Sequence, residues 1–166
     1  SEVKPIIGAE LYIAPKGRHD RTAENRRNYH IILLAKNNQG YQNLMKMISI
    51  SYLEGFYYKP RIDWETLQKY HEGIICTSAC VEGEISQLLL NGEEEKAERR
   101  ALDYQKLFGS DYYLEIQVHP GLKDQDKSNE GIVKISRKLA IPLVAANDAH
   151  YINKEDAFAQ DVLMMI

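Results

Sequence analysis

Strand-like apolar runs alternate with amphipathic helical patterns along the chain, and this order limits the fold more than any other feature. The strand-like runs fall near residues 6–14, 29–35, 73–79, 112–118 and 141–146. The helical patterns fall near residues 41–53, 64–70, 84–90, 93–108, 130–139 and 157–166. This alternation predicts an α/β fold with mostly parallel strands, because parallel neighbours need a crossover connection that is usually a helix.

The composition is that of one globular domain, and we treat residues 1–166 as a single unit. Hydrophobic residues make up 44% and charged residues 27% of the sequence, which is typical of a chain with one core. The net charge of -3 gives no overall attraction to nucleic acid, so DNA binding requires a local patch or another part of a larger protein. The apolar runs are too short to cross a bilayer, and no signal peptide opens the sequence. We therefore expect a cytoplasmic protein without a membrane contact.

The last strand-like run ends in residues that can carry chemistry. The apolar run 141–146 is followed by the letters NDAH at 147–150. Side chains alternate along an extended segment, so Asp148 and His150 point the same way and form two ligands of a plausible metal site. The simpler interpretation is an aspartate that caps the following helix and a histidine in a loop.

Other polar residues follow or lie on the predicted strands. If the strands are parallel neighbours, their carboxyl ends share one face of the fold. The residues collected there are Glu10, Cys80, His119, Asp148 and His150. Each also has a plain explanation, because Glu10 can be a solvated strand residue, Cys80 a small buried hydrophobe and His119 a turn residue. Together, carboxylate, thiolate and imidazole groups suit zinc, manganese or iron, so their convergence favours a metal site.

Two connections are polar. Residues 16–28 are rich in lysine and arginine and predict either a solvated surface loop or a loop that contacts phosphate. Residues 55–63 have no clear period, and Asp63 is a credible N-cap for the helical pattern at 64–70.

Several segments are specific enough to indicate a family. They are KPIIGAE at 4–10, HIILLAKN at 30–37, GYQNL at 40–44, EGFYYKPRI at 54–62 and NDAHY at 147–151. The sequence resembles, over its whole length, the PHP (polymerase and histidinol phosphatase) domain found at the N-terminus of bacterial DNA polymerase III alpha subunits. The resemblance implies a distorted (β/α)7 TIM-like barrel with a cluster of metal ions at the carboxyl ends of the strands.

The resemblance also implies roles for particular residues. The metal ligands that it implies are Glu10, His30, Cys80, Asp148 and His150. His30 rests on the resemblance alone, since it opens its strand and simple barrel geometry puts it at the opposite edge. The candidates for contact with phosphate or substrate are Lys59, Arg61 and His119. The implied cofactors are zinc, manganese or iron in this domain and magnesium in the polymerase site of the parent protein.

The opening motif of the family, a His-x-His followed by Asp-His-Gly, does not occur in this sequence. The first strand has almost no lead-in, and the helical pattern at 157–166 has no stop signal. We therefore expect the central and C-terminal part of a PHP domain, cut from a longer protein and folded as a partial barrel. Exposed strand edges then favour self-association.

The function implied by the resemblance is that of a replicative DNA polymerase whose PHP domain is a metal-dependent phosphoesterase. In some relatives that domain is thought to act as a 3′–5′ proofreading exonuclease, and in others it is a structural support. The implied partners are DNA, bound by the full-length parent, and other replicase subunits such as an exonuclease and a sliding clamp. The alternatives are a stand-alone phosphoesterase of the histidinol-phosphatase type and a non-catalytic scaffold. Because the opening motif is missing, we predict at most trace phosphodiesterase activity for this chain alone.

Overall fold

A computed structural model describes residues 3–119 and 121–166, so Ser1, Glu2 and Pro120 lie outside the described residues. The strands are β1 Gly8–Ile13, β2 Tyr29–Ala35, β3 Arg61–Ile62, β4 Ile74–Thr77, β5 Tyr112–Gln117 and β6 Leu143–Ala146. The helices are α1 Asn38–Leu53, α2 Trp64–Tyr70, α3 Glu84–Leu90, α4 Glu94–Phe108, α5 Lys123–Leu139 and α6 Ala157–Leu163. Within those described ranges, none of the helices is long and apolar enough to cross a membrane.

The strands form one six-stranded sheet in the order β3-β1-β2-β4-β5-β6. Parallel pairing joins β1 to β3, β4 to β5, and β5 to β6, while β2 runs antiparallel to both β1 and β4. The predicted fold class, an α/β partial barrel of TIM-like type with mostly parallel strands, is confirmed.

The reversed direction of β2 changes the position of His30. Residues 14–28 connect β1 to β2 with only a three-residue 3-10 turn, so the chain returns antiparallel instead of crossing over. His30 therefore pairs with Tyr12 near the carboxyl end of β1. On the other side of β2, Ile32 pairs with Thr77, the last residue of β4. The expectation that His30 lies at the opposite edge was wrong, because it assumed that β2 is parallel to its neighbours.

The two faces of the sheet differ in chemistry. The face covered by helices is apolar and contains Leu11, Leu33, Cys76 and Leu114, all buried. The register places Glu10, Tyr12, His30, Thr77, Glu115 and Gln117 together on the other face. This second face is polar toward the carboxyl edge of the sheet, so candidate functional groups collect there.

Helix ends lie within three residues of the predicted bounds, with one exception. Asp63 caps α2 as predicted, since its carboxylate accepts a hydrogen bond from the Thr66 amide at 2.9 Å. The exception is α5, which begins at Lys123 rather than near residue 130. Its early turns place Asp124 and Asp126 at the positive end of the helix dipole, and they bury Gln125, so this polar stretch is helical.

Candidate metal centre

Three of the five implied metal ligands meet at one imidazole nitrogen. His30 Nδ1 lies 3.1 Å from Glu10 Oε1 and 3.6 Å from Cys80 Sγ. Two ligand atoms bound about 2.0–2.3 Å from one zinc ion at a tetrahedral angle lie roughly 3.3–3.7 Å apart. The two separations are therefore close to those between ligands of a single ion.

The turn after β4 holds Cys80 against the start of β2. Ala79 has a positive φ of 60°, which bends the chain away from the strand direction. The Gly83 amide donates to Cys80 O at 2.9 Å, and the His30 amide donates to Glu82 O at 3.0 Å. Gly83 is required for this close approach, because a Cβ there would lie 2.0 Å from Ser78 O. These backbone contacts position the thiol and the imidazole together.

Asp148 and His150 form a second pair just beyond β6. His150 Nδ1 lies 2.8 Å from the Asp148 carbonyl oxygen and 3.9 Å from its Oδ1. Asp148 has a φ of 50°, a left-handed conformation that costs a non-glycine residue about 1–2 kcal/mol. Such strain is often kept where a side chain must be aimed in one direction.

Carboxylates from both groups of candidate ligands affect the pKa of the Cys80 thiol. Burial, together with a smaller effect of the carboxylates of Asp148 and Glu10, raises the pKa of the Cys80 thiol to about 11. Both carboxylates therefore act on the sulfur. The thiol is neutral near pH 7, so a metal ion that bound it would displace its proton.

The donor set fits a borderline metal in its chemistry, with two carboxylates, two imidazoles and a thiol. Within residues 3–119 and 121–166, however, no group of three or more His, Cys, Asp or Glu side chains is arranged to hold a metal ion. The described residues thus bring candidate ligands together in close pairs, but they do not form a complete metal-binding group.

A cavity of about 440 Å³ opens beside His30. It is lined by Tyr12, Arg26, Asn28, His30, Tyr58, Lys59 and Glu82. Lys59 Nζ donates to the Tyr12 hydroxyl at 2.9 Å, and the Tyr12 ring packs edge-on against His30 with centroids 5.0 Å apart. The Arg26 guanidinium lies 4.4 Å from the centre of the Tyr58 ring. Two cations thus line the space next to the imidazole.

Other basic residues of the 16–28 loop are engaged within the protein. Lys16 pairs with Glu24, and Arg27 donates to Gln87. Arg18 contacts the carboxylates of Glu54, Asp63 and Glu65. These contacts favour the structural interpretation for most of the loop, with Arg26 as the member that faces the cavity.

Arg61 has a structural position that does not suit phosphate binding. Its side chain is fully buried. The guanidinium donates to the carbonyl oxygens of Gly55, Asn25, Arg18 and Asp20 at 2.9–3.2 Å. The expected phosphate contact of Arg61 was wrong, because a buried guanidinium bonded to four carbonyls is not accessible to a ligand.

His119 ends a polar chain that the sequence analysis did not single out. His119 Nε2 lies 3.0 Å from Gln117 Oε1, and Gln117 Nε2 lies 2.7 Å from Glu115 Oε1. Glu115 and Gln117 are both buried. The available signal was their position, since two polar residues at alternate places in an otherwise apolar strand must share a face.

Comparison with known proteins connects this geometry to a family. The sequence model of the PHP domain matches residues 1–119, which include Glu10, His30 and Cys80. The chain belongs to the PHP domain family. Asp148 and His150 lie beyond that match, although alignments with longer relatives cover 99% of the chain.

Those relatives are much longer proteins. The DNA polymerase III subunit alpha of Borreliella burgdorferi is 54% identical over 166 residues, and that of Treponema pallidum is 48% identical over 167 residues. The same subunit of Deinococcus radiodurans is 46% identical over 170 residues. Each alignment covers 99% of this chain but only 13–14% of the relative. This PHP domain therefore spans about a seventh of the length of the curated relatives it matches.

Proposed function

We propose that this PHP domain binds divalent metal through Glu10, His30, Cys80, Asp148 and His150, and that within the full-length parent the completed metal site hydrolyses phosphodiesters. The observation that carries the proposal is the reversal of β2, which brings His30 to within 3.1 Å of Glu10 and 3.6 Å of Cys80. Zinc, manganese and iron suit this donor set.

The residues around the metal centre would have different roles in hydrolysis. Bound metal ions supply a nucleophilic hydroxide near neutral pH and stabilise charge on the phosphoryl oxygens. Lys59 and Arg26 line the cavity beside His30 and can bind a phosphate of the substrate. The Tyr12 hydroxyl accepts a hydrogen bond from Lys59 and keeps the ammonium near this cavity.

We further propose that the domain serves a replicative DNA polymerase in the cytoplasm. The support is the set of relatives named DNA polymerase III subunit alpha. The parent would copy DNA with magnesium at a polymerase site outside this sequence, and would contact an exonuclease subunit and a sliding clamp. In that setting the PHP site would remove nucleotides from a DNA 3′ end. These relatives favour this role over a stand-alone phosphoesterase of the histidinol-phosphatase type.

A non-catalytic scaffold is the second candidate function. It is favoured by one observation, namely that among the described residues no three ligand-type side chains are arranged to hold a metal ion. A scaffold would keep the fold and its contacts while losing metal and turnover.

Elemental analysis of the purified chain separates the two candidates. We expect bound zinc, manganese or iron in the wild type, and its loss in His30→Ala and in the Asp148→Ala, His150→Ala double variant. His71→Ala is the matched control, because His71 bonds to its own helix at Gln68 O and lies outside the candidate centre. Equal metal content in all four proteins, or none in the wild type and in its full-length parent, would support the scaffold.

A further inference from the structure

A line of hydrogen bonds runs from the end of β4 to the end of β5. Thr77 Oγ1 bonds to Glu115 Oε2, and Gln117 Nε2 bonds to Glu115 Oε1. Gln117 Oε1 in turn bonds to His119 Nε2. Thr77, Glu115 and Gln117 are buried, so water does not compete for these bonds.

The chemistry of the groups fixes the direction of each bond. The Ala79 amide donates to Thr77 Oγ1 at 3.3 Å, so the threonine hydroxyl is free to donate to Glu115. The Gln117 NH2 group donates to Glu115 Oε1, because a carboxylate oxygen is the acceptor and only the amide nitrogen carries hydrogen in this pair. The Gln117 carbonyl oxygen then faces His119.

This orientation selects one tautomer of the histidine. A carbonyl oxygen cannot donate, so His119 Nε2 must carry the proton of the 3.0 Å bond with Gln117. The other ring nitrogen, Nδ1, then holds the lone pair in the neutral imidazole. Among the described residues, no hydrogen bond to His119 Nδ1 is formed.

The register places His119 and Asp148 at the same edge of the sheet. Gln117 pairs with Ala146 in the last step of the β5/β6 ladder. His119 and Asp148 each follow two residues later in the sequence. The imidazole and the carboxylate thus leave the sheet at the same edge and from adjacent strands.

We infer that Thr77, Glu115 and Gln117 are positioning residues that hold His119 as a neutral imidazole protonated at Nε2, with Nδ1 as a proton acceptor. This differs from the expected role of His119 as a phosphate contact, because a neutral Nδ1 accepts a hydrogen bond and cannot donate one to phosphate. The tautomer is a property of the chain itself. Its catalytic use rests on the proposed hydrolysis.

In that use, His119 takes one proton from a water molecule. The water O–H bond breaks and the Nδ1–H bond forms. The hydroxide oxygen uses its electron pair to form a bond to phosphorus, while the phosphorus–oxygen bond to the leaving nucleotide breaks, and the leaving oxygen keeps that electron pair and is then protonated by the imidazolium or by water. The imidazole becomes an imidazolium, while its Nε2–H remains donated to Gln117.

The test is nitrogen NMR of protein labelled with 15N-histidine, recorded near pH 8.5, which is about two units above the ordinary imidazole pKa. The His119 signals are identified by their disappearance in His119→Gln. We expect Nε2 at the shift of a protonated nitrogen and Nδ1 at that of an unprotonated one. In Gln117→Leu, both signals should move toward the average of two exchanging tautomers.

Two further variants separate positioning from folding. Gln117→Glu keeps an acceptor toward His119, so we expect it to retain the Nε2–H tautomer. Gln125→Leu removes another buried glutamine, which bonds to Asn129 instead of His119, and should leave the His119 signals unchanged. An Nδ1–H tautomer or an even mixture in the wild type overturns the inference, as does an unchanged spectrum in Gln117→Leu.

Metal content measured on the same samples keeps the two proposals distinguishable. Gln117→Leu should bind as much metal as the wild type while its tautomer equilibrium shifts. The Nε2–H tautomer in the wild type, with no metal in either this chain or its full-length parent, would contradict the proposed hydrolysis and leave the positioning role of Gln117 standing.

Discussion

Lys59 and Arg61 are two residues apart in the sequence, yet they have opposite surroundings. Lys59 is exposed at the cavity beside His30, whereas Arg61 is buried and bonded to four backbone carbonyls. Both were reasonable phosphate ligands from the sequence, because residue type gives charge but not burial. The contacts of Arg61 come from the loop at 16–28 and from Gly55, which are distant in sequence and carry no local signal.

Replacing each of these cations by methionine should therefore give different results. Arg61→Met leaves several buried carbonyls without donors, so we expect the free energy of unfolding to fall by about 3 kcal/mol or more. Lys59→Met should change it by less than about 1 kcal/mol, as surface substitutions usually do. Urea unfolding followed by circular dichroism measures both. Equal losses in the two variants would contradict the structural role of Arg61.

Asp63 makes part of the stability depend on pH. Although burial opposes ionisation, hydrogen bonds from Thr66 and Arg18 lower the pKa of Asp63 below its ordinary value. The stabilisation is therefore fully present above the unfolded pKa of about 3.9 and is lost as the pH falls through the lower folded pKa.

We expect Asp63→Asn to be less stable than the wild type near pH 6, and the difference to disappear in acid. Asparagine is itself a good N-cap, so this variant isolates the charge from the capping bond. Urea unfolding at a series of pH values provides the measurement. A difference that stays constant down to the acid limit would show that the Asp63 charge is not the cause.

For helices and strands, the sequence predicted the positions of the elements better than the directions of the strands. The bounds of β2, α2 and α3 match the patterns, because hydrophobic period and capping residues are local signals. The hydrophobic period of a segment does not show in which direction its strand runs. The reversed direction of β2 follows instead from the short connection at residues 14–28. The strand β3 was missed because two residues are too few to show a period.

The same difference applies to the candidate site. The sequence singled out Glu10, Cys80 and Asp148 from strand position, and the resemblance added His30. Gln117 and Glu115 were passed over, because an isolated polar residue in a strand looks the same whether it faces solvent or a buried partner. Only the register of β4 and β5 brings Thr77 and Glu115 together.

The junction of α1 with β4 gives a prediction for an element. Gly40 lies in the first turn of α1, and a Cβ there would lie 1.8 Å from Gly73 O. In a free helix, glycine to alanine stabilises by about 1 kcal/mol, but this clash with backbone should reverse the sign. We expect Gly40→Ala to destabilise by about 2 kcal/mol or more, as measured by thermal unfolding.

Ser49→Ala on the exposed side of α1 is the control for helix propensity. Its side chain bonds only within the helix, to Met45 O, so the change should stay within about 0.5 kcal/mol. A stabilised Gly40→Ala protein would mean that α1 and the Gly73 turn are not in close contact.

Apolar side chains are exposed on the last strand and the last helix of the molecule. Leu143 on β6 and the side chains of Phe158 and Leu163 on α6 are exposed. Exposed apolar residues, whether on a sheet edge or on an uncovered helix, favour association between copies of a chain. We expect sedimentation velocity to show a concentration-dependent oligomer, weakened by Phe158→Glu. Lys134→Glu on α5 is the charge control, and an equal effect of both variants would argue against the apolar surface.

Metal binding should couple the two ends of the chain. Glu10 and His30 lie on β1 and β2, whereas Asp148 and His150 follow β6, so an ion held by both pairs links the first strands to the last. A ligand at 100 times its dissociation constant stabilises the folded state by about 2.7 kcal/mol. We expect zinc or manganese to raise the melting temperature of the wild type and not that of His30→Ala.

Hydrogen exchange would show whether the link is made. In the wild type, metal should protect amides at residues 147–150 as well as those of β1 and β2. The Asp148→Ala, His150→Ala variant should lose this metal-dependent protection in both regions, because the group of Glu10, His30 and Cys80 alone is not expected to retain the ion. If metal protected residues 147–150 equally in this variant, the two pairs would not share an ion, and the single metal centre proposed for this PHP domain would be wrong.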